Sequence, residues 1–464
     1  MDKAISKELP VAIIGAGPIG LAAASHLALR GKKFILLEAG SRIADNIRKW
    51  EHVRLFSPWE FNVDQASREL LLRHNWKAPN KDDLPLGKEI INEYLEPLAA
   101  LPEIAPVLSL NTKVVSISRK GIDKMKTDQR AEQPFILYVE KNNVTERIEA
   151  KAVIDATGTW SNPNPVNSEG VWTSRERVLG EHIYYGIPNV KGEAGNQYKG
   201  KRIAVIGGGH SALNTLIDLA KLKENDPQTE LIWIMRKRNA EEAYGGEAND
   251  QLEARGELGT RIHELVNTGT VRVITPFRVQ QVIESENGNI KLIGEAGGQI
   301  EEVNVEEIIV NTGNRPDFSF LRELRLSIDQ TTESVEGIAQ LIDPNVHSCG
   351  TVRPHGEKEL RHNEDGFYIA GMKSYGRAPT FLMATGYEQV RSIAAYISGD
   401  VESSAKVELI LPETGVCSIN NSRLVQSESS SCCAPIVFDG PEKPSCSIPI
   451  SVASPGFNEK EIPK

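Results

Sequence analysis

The sequence predicts an α/β protein with two parallel sheets, followed by a C-terminal tail of different composition. Two short apolar runs, beginning at Val11 and Arg202, each lead into a glycine-rich turn and then into a helix-forming segment. Apolar strands followed directly by crossover helices are typical of parallel sheets that are buried on both faces. Beyond Asp400 the chain becomes rich in serine and proline and contains four of the five cysteines.

Length and composition agree with this fold class. The 464 residues include 53 Lys and Arg and 63 Asp and Glu, which gives a net charge of -10. This acidic balance argues against nucleic acid or an anionic membrane surface as the main partner. A hydrophobic content of 40% is ordinary for a globular protein with a large core.

The apolar stretch from Val11 to Leu29 is not predicted to be a signal peptide or a membrane helix. Three glycines at fixed spacing, Pro18 and His26 interrupt it, and acidic residues precede it. No other stretch reaches the length that a membrane helix requires. We therefore expect a cytoplasmic protein with reduced thiols and no membrane partner.

The first glycine turn has the residues that a bound dinucleotide requires. Gly15 permits the sharp turn, Gly17 lets the backbone approach a pyrophosphate, and Gly20 lets the helix pack closely against the strand. Glu38, at the tip of the next strand, is expected to accept hydrogen bonds from a ribose diol. A βαβ unit without a ligand is the alternative. The predicted contacting residues are Gly15, Gly17, Pro18, Gly20 and Glu38.

The second glycine turn differs at the tip of its following strand. That strand, Leu231 to Met235, ends in Arg236-Lys237-Arg238 rather than in an acid. Because basic groups pair with a ribose 2′-phosphate that a carboxylate would repel, we expect NADPH rather than NADH. A solvated charge cluster is the alternative. The predicted contacting residues are Gly207, Gly209, His210, Ser211, Ala212, Arg236 and Arg238.

Two such turns predict two Rossmann-like dinucleotide-binding domains in one chain. With FAD at the first turn and NADPH at the second, the chain would transfer a hydride from nicotinamide to flavin. A Thr-Gly turn also follows a predicted strand twice, in residues 153–160 (VIDATGTW) and residues 309–316 (IVNTGNRP). Across residues 8–400 this pattern resembles the two-dinucleotide flavoprotein superfamily, which includes flavin-containing monooxygenases, thioredoxin-reductase-like enzymes and mercuric reductase.

The resemblance implies an FAD domain in two pieces, residues 1–165 and 313–400. An NADPH domain, residues 166–312, is inserted between them, and residues 401–464 form a C-terminal extension. It also implies that Val114 contacts the adenine end of FAD and that the first Thr-Gly turn lies at the flavin nucleotide. The residues carried over in this way are Val114, Thr157 and Gly158.

A narrower resemblance rests on three loops. Tyr244-Gly245-Gly246, residues 347–350 (HSCG) and residues 373–381 (KSYGRAPTF) resemble a bacterial flavoprotein family found beside arsenic-resistance genes and described as flavin monooxygenases. The monooxygenase fingerprint Phe-x-Gly-x-x-x-His is incomplete in residues 177–185. Met372 and Lys373 also follow Gly371, where reductases of the superfamily have Gly-Asp.

Residues after Gly371 still suit the edge of a flavin. Pro379-Thr380-Phe381 is expected to open a helix that runs to about Ile397, with Thr380 as its cap. A helix N-terminus beneath the flavin would stabilise negative charge on the reduced ring. The predicted contacting residues are Gly371, Thr380 and Phe381.

The cysteines distinguish three hypotheses about chemistry. Residues 1–348 contain no cysteine, so the redox dithiol of a disulfide reductase is absent from both predicted domains. The first hypothesis is therefore an NADPH-dependent monooxygenase that oxygenates sulfur, nitrogen or trivalent arsenic. The residues expected to line its site are Trp59, Trp160, Arg353, Tyr375 and Arg377, of which Arg353, Tyr375 and Arg377 are the catalytic candidates; core packing or a solvated loop is the alternative for each.

The second hypothesis depends on the adjacent Cys432 and Cys433. Neighbouring thiolates chelate or transfer a soft ion, and mercuric reductase has a similar C-terminal pair. The chain would then be a metalloid, metal or thiol reductase that the tail supplies; an inert tail is the alternative. The third hypothesis is a metalloid-binding protein on a flavoprotein scaffold. The expected partner is a small molecule, with a thiol-bound metalloid as one candidate, and a homodimer remains an open alternative.

Overall fold

The fold comes from a computed structural model that describes residues 8–250, 252–285, 288–344, 352–379 and 381–409. Its strands are β1 (Val11–Ile14), β2 (Phe34–Leu37), β3 (Leu108–Ser109), β4 (Lys113–Arg119), β5 (Phe135–Lys141), β6 (Val144–Ala150), β7 (Ala152–Asp155), β8 (Ile183–Tyr185), β9 (Arg202–Ile206), β10 (Glu230–Ile234), β11 (Val271–Ile274), β12 (Arg278–Glu284), β13 (Ile290–Ala296), β14 (Gln299–Val305), β15 (Glu307–Val310) and β16 (Phe367–Ile369).

The helices connect and cover these strands. They are α1 (Pro18–Leu29), α2 (Asp45–Arg48), α3 (Trp59–Asn62), α4 (Gln65–Arg73), α5 (Gly87–Glu89), α6 (Glu96–Ala99), α7 (Ser174–Val178), α8 (Gly195–Tyr198), α9 (His210–Asn225), α10 (Glu241–Tyr244), α11 (Glu253–Asn267), α12 (Glu336–Ile342), α13 (Met383–Ile397) and α14 (Val401–Ala405). A π-helical segment, Ile90–Leu95, joins α5 to α6.

Two five-stranded parallel sheets form the centre of the protein. The first has the strand order β16-β7-β1-β2-β3, and the second has the order β11-β10-β9-β15-β8. All four residues of β1 are buried, as expected for a strand with an apolar side chain on each face. The predicted α/β class with two Rossmann-like sheets is therefore confirmed.

Along the chain, the strands of the first sheet come both before and after the strands of the second sheet. β7 pairs with β1 so that Ile14 lies beside Asp155, and β16 pairs with β7 so that Ile369 lies beside Asp155. The carboxyl ends of β1, β7 and β16 therefore meet at one edge, where open parallel sheets bind ligands. Two antiparallel sheets, β4-β5-β6 and β12-β13-β14, complete the β-structure.

Several predicted boundaries differ from those observed. The sequence predicts the first helix from Leu21 to Leu29, but α1 begins at Pro18, because the fixed φ of proline suits the first helical position. The helix expected from Pro379 begins instead at Met383, because Leu382 has an extended backbone (φ -114, ψ 149). The sequence predicts the helix after the second turn from Ser211 to about Leu222, whereas α9 runs from His210 to Asn225. Within the described ranges, no helix combines the length and apolarity that a membrane crossing requires.

Candidate cofactor and active site

A cavity of about 570 Å³ opens at the carboxyl edge of the first sheet. Its size falls in the range of small-molecule and cofactor sites. The glycine turn after β1, the tip of β2 and the Thr-Gly turn after β7 form its wall together with the turn after β16. The structure thus brings together most of the residues predicted for the first nucleotide. Those that line the cavity are Gly15, Gly17, Pro18, Glu38, Val114, Thr157, Gly158 and Gly371.

The three glycines of the first turn have different surroundings. A Cβ atom added at Gly15 would lie 2.8 Å from the Ala156 carbonyl oxygen, and one at Gly20 would lie 1.8 Å from the Gly15 carbonyl oxygen. Gly15 and Gly20 therefore allow close packing, and Gly20 does not line the cavity. Gly17 lines the cavity and has no atom within 4 Å of such a Cβ. It leaves open the space at the N-terminus of α1 that a diphosphate would occupy.

Glu38 is held in place at the tip of β2. Its two carboxylate oxygens each accept a backbone hydrogen bond of 2.7 Å, one from Ala16 N and one from Gly40 N. An ionised carboxylate has about four acceptor sites, so sites for a ribose diol remain. The geometry fits the role predicted for Glu38.

The second glycine turn repeats the arrangement of the first. A Cβ atom at Gly207 (φ +137) would lie 2.3 Å from the Asn311 carbonyl oxygen, whereas one at Gly209 would have no atom within 4 Å. Gly209 and Ser211 are exposed at the N-terminus of the 16-residue helix α9. Ala212 is fully buried, so its side chain packs in the core rather than at a ligand.

The basic residues after β10 point in different directions. Arg236 is exposed, and its Nη1 donates to the Ser168 carbonyl oxygen at 3.3 Å; Arg238 is also exposed. Lys237, which was not among the predicted contacting residues, lies against the turn, with its Cε 3.1 Å from where a Cβ of Gly208 would be. The basic run signalled a cation here, but one sequence could not show which side chain faces the turn.

His210 begins α9 in a neutral form. Burial, together with the positive charge of Arg255, lowers its pKa to about 4. The imidazole packs against Phe56 with ring centroids 5.5 Å apart, and Arg255 lies 6.0 Å from the same Phe56 ring. Arg255 also forms two 2.7 Å hydrogen bonds to Asp250. No motif in the sequence indicated Phe56, Asp250 or Arg255.

The three predicted catalytic residues do not line the cavity, which is a correction to that part of the expected site. Tyr375 is 1% exposed and packs edge-on against Phe381 with ring centroids 5.3 Å apart. Burial raises the pKa of its phenol above the ordinary value. Arg377 is exposed, and the Arg353 side chain is 65% exposed and 3.9 Å from Glu359. Their position in loops suggested the site, but the backbone turns them toward the core or the solvent.

The tryptophans divide between core and cavity. Trp59 is buried in the core of the first sheet, whereas Trp160 lines the cavity beside Trp50, with ring centroids 6.2 Å apart. Thr380, Cys432 and Cys433 lie outside the described residues. Within those residues, no group of His, Cys, Asp or Glu is arranged to hold a metal ion.

Comparison with known families decides the class of this site. A sequence profile described as pyridine nucleotide-disulphide oxidoreductase matches residues 12–337. The chain belongs to this family. It is therefore an NAD(P)H-dependent flavoprotein oxidoreductase, with FAD and NADP as its cofactors.

Similar proteins include reductases and monooxygenases. A ferredoxin–NADP reductase of Lactobacillus gasseri is 24% identical over 352 residues, which cover 73% of this chain and 85% of that protein. The oxidoreductase fold is also similar to bacillithiol disulfide reductase Bdr from Staphylococcus aureus (TM-score 0.61, 16% identity, 85% of this chain and 99% of that chain). A cadaverine monooxygenase from Erwinia amylovora gives a TM-score of 0.59 at 14% identity, over 91% of this chain and 100% of that chain. At these identities the structures show the shared fold.

Other residues of the oxidoreductase line the same cavity without having been predicted. Trp50, Phe320 and Met372 supply apolar surface, and Lys49 and Arg315 supply charge. Arg315 forms an ion pair with Glu333. These residues come from loops that are distant in sequence, so only the folded chain places them together.

Proposed function

We propose that this oxidoreductase is an NADPH-dependent flavin monooxygenase that transfers one oxygen atom from O2 to sulfur, nitrogen or trivalent arsenic. Arsenic resistance is its proposed setting. The observation that carries the proposal is the composition of the cavity wall. Its described lining residues include Trp50, Trp160, Phe320 and Met372. Residues 1–348, which supply most of this wall, contain no cysteine, so this part of the chain lacks the redox dithiol that disulfide exchange requires.

The residues of this cavity have three proposed tasks. The N-terminus of α1 binds the diphosphate in the space that Gly17 leaves open, and Glu38 binds the ribose. Trp50 and Trp160 exclude water from the reacting end, which protects an oxygenating site from unproductive hydrolysis. FAD, when bound, would accept the hydride from NADPH and, once reduced, would react with O2.

At the second turn, the proposed tasks concern NADPH. Gly209 and the N-terminus of α9 bind the diphosphate, and Lys237 pairs with the 2′-phosphate alongside the exposed Arg236 and Arg238. His210, neutral at pH 7, adds no positive charge to this end of the helix. Selectivity for NADPH therefore depends on the basic run after β10.

The proposal is tested by following NADPH oxidation and oxygen uptake by the purified FAD-loaded protein. The probes are thioanisole, N,N-dimethylaniline and arsenite. We expect at least one probe to raise both rates together, and removal of oxygen to abolish the stimulated rate. Stimulated NADPH oxidation at the same rate without oxygen would overturn the proposal.

The adjacent pair Cys432 and Cys433 favours a second candidate, a thiol-fed metalloid or disulfide reductase. Adjacent residues have Cα atoms ~3.8 Å apart across a trans peptide, a spacing that suits chelation of a soft ion better than a relaxed disulfide. Under this candidate, the Cys432→Ser/Cys433→Ser variant loses anaerobic NADPH-dependent reduction of 5,5′-dithiobis(2-nitrobenzoate). The matched control Cys417→Ser/Cys446→Ser keeps it. Equal rates of this reduction in the two variants would show that Cys432 and Cys433 take no part in it.

A further inference from the structure

A lysine ammonium group lies fully buried behind the cofactor cavity. The side chains of Lys373 and Asp155 are both 0% exposed, and Lys373 Nζ donates to Asp155 Oδ2 at 2.6 Å. The same Nζ lies 3.3 Å from Thr157 Oγ1. Asp155 Oδ1 in turn accepts from Thr157 N at 3.1 Å and from Thr157 Oγ1 at 2.7 Å. The three residues form one closed hydrogen-bonded cluster, which we call the buried triad.

Within the buried triad, Asp155 and Lys373 lie one layer behind two parts of the cavity wall. Asp155 ends β7, and Thr157 belongs to the turn that lines the cavity. Lys373 belongs to the 3-10 helix Gly371–Tyr375 after β16, whose first residue also lines the cavity. The Phe320 ring, a third part of the wall, has its centroid 4.5 Å from Lys373 Nζ. The triad therefore joins turns that are far apart in sequence.

Stability alone does not account for this arrangement. Lysine is almost never fully buried, because removing its charge from water costs several kcal/mol. A buried ion pair can usually be replaced by apolar side chains of similar volume without loss of stability. Unlike an apolar contact, the hydrogen-bonded ion pair has a defined orientation. It fixes the Thr157 hydroxyl and the backbone N–H of the turn in a single orientation.

We propose that Asp155 and Lys373 are positioning residues for FAD. The triad holds the Thr157 turn and the Gly371 turn in the arrangement that FAD binds before the cofactor arrives, so little of the binding energy is spent on ordering the wall. Thr157 transmits the effect, because it belongs both to the triad and to the wall. The inference rests on FAD as the ligand of this cavity and is independent of the oxygen chemistry.

The first test separates positioning from stability with the variant Asp155→Asn/Lys373→Met. The introduced amide oxygen can still accept from Thr157 N–H, but the amide no longer binds the side chain at position 373, so the two turns are uncoupled. The matched control is Glu364→Gln, which breaks a buried ion cluster between the segment before β16 and the arginines Arg119 on β4 and Arg130. The readouts are urea unfolding of the apoprotein, the FAD dissociation constant and the circular dichroism of bound flavin.

We expect the Asp155→Asn/Lys373→Met variant to keep apoprotein stability close to wild type, to bind FAD about tenfold more weakly and to change the flavin circular dichroism. The control should lose stability and keep an FAD dissociation constant within about twofold of wild type. A double variant with wild-type FAD affinity and spectrum would overturn the proposal.

A second pair of variants keeps the proposal testable if the double variant does not fold. Thr157→Val removes the hydroxyl while preserving the shape that faces the cavity, and Thr157→Ser keeps the hydroxyl. We expect Thr157→Val to bind FAD about fivefold more weakly and Thr157→Ser to restore wild-type affinity. Equal affinities for the Val variant and wild type would overturn the proposal. Neither readout requires substrate or oxygen, so this result is separable from the outcome for the monooxygenase.

Discussion

Glu364 shows how a single buried carboxylate is held in its charged form. It accepts hydrogen bonds from Arg119 Nε at 2.8 Å and from Arg130 Nη2 at 2.7 Å, with its side chain 2% exposed. Burial alone would raise the pKa of Glu364, but hydrogen bonds from Arg130 and Arg119 outweigh burial and lower the pKa below 4.5. Removing this carboxylate leaves two buried guanidinium groups without their partner.

This cluster gives a pH prediction. Because the folded pKa of Glu364 is lowered, its contribution to stability is complete above pH 4.5 and is lost as pH falls through the folded pKa. We expect Glu364→Gln to lose about 3 kcal/mol of unfolding free energy at pH 7, measured by urea unfolding. Below pH 4.5 the wild-type protein should lose stability more steeply than the variant. Parallel pH profiles would contradict the prediction.

His362 is also predicted to make the folded protein less stable as pH falls, but in a higher pH range than Glu364. Burial lowers its pKa to about 4, and its Nδ1 accepts a 3.1 Å hydrogen bond from Ser327 N. As pH falls from 6.5, the unfolded chain takes up a proton before the folded protein does, so stability falls between pH 6.5 and pH 4. Between pH 6.5 and 5, we expect wild type to lose about 2 kcal/mol more than His362→Asn. Thermal unfolding at the two pH values measures the difference, and equal losses would exclude it.

At the scale of elements, the glycines of a strand–turn–helix unit have different roles. Gly20 allows α1 to pack closely against the turn, and Gly17 keeps the cavity open. We expect Gly20→Ala to lose about 3 kcal/mol of stability, because the added methyl group overlaps the Gly15 carbonyl. Gly17→Val should keep stability within about 1 kcal/mol and lose bound FAD, since its side chain enters open space. Urea unfolding and the ratio of flavin to protein absorbance measure both, and the opposite assignment of losses would contradict the division.

The same elements show what one sequence can predict. Both glycine turns and the strands before them were predicted closely, because a short apolar run and a glycine turn are local signals. The burial of Tyr375 and the inward turn of Lys373 were not predicted. The position of Lys373 depends on Asp155, which lies far away in sequence and meets it only when β16 joins the first sheet. Tyr375 packs against Phe381, and no sequence pattern marks that contact.

The whole molecule is expected to use its two glycine turns in sequence, first for NADPH and then for flavin. Gly209→Val fills the open space at the second turn and leaves the first turn unchanged. We expect this variant to retain FAD and to be reduced by dithionite as wild type is. Its flavin reduction by NADPH, followed by stopped-flow absorbance, should be at least about a hundredfold slower. Reduction by NADPH at the wild-type rate would show that the second turn is not the NADPH site.

The central claim is that the flavin cavity passes oxygen, rather than electrons alone, to its substrate. The most direct measurement is the incubation of FAD-loaded protein with NADPH, ¹⁸O₂ and either thioanisole or arsenite, followed by mass spectrometry of the products. We expect thioanisole sulfoxide or arsenate to carry one ¹⁸O atom, with the other ¹⁸O atom in water. NADPH consumption that yields no labelled product from either probe would contradict the claim.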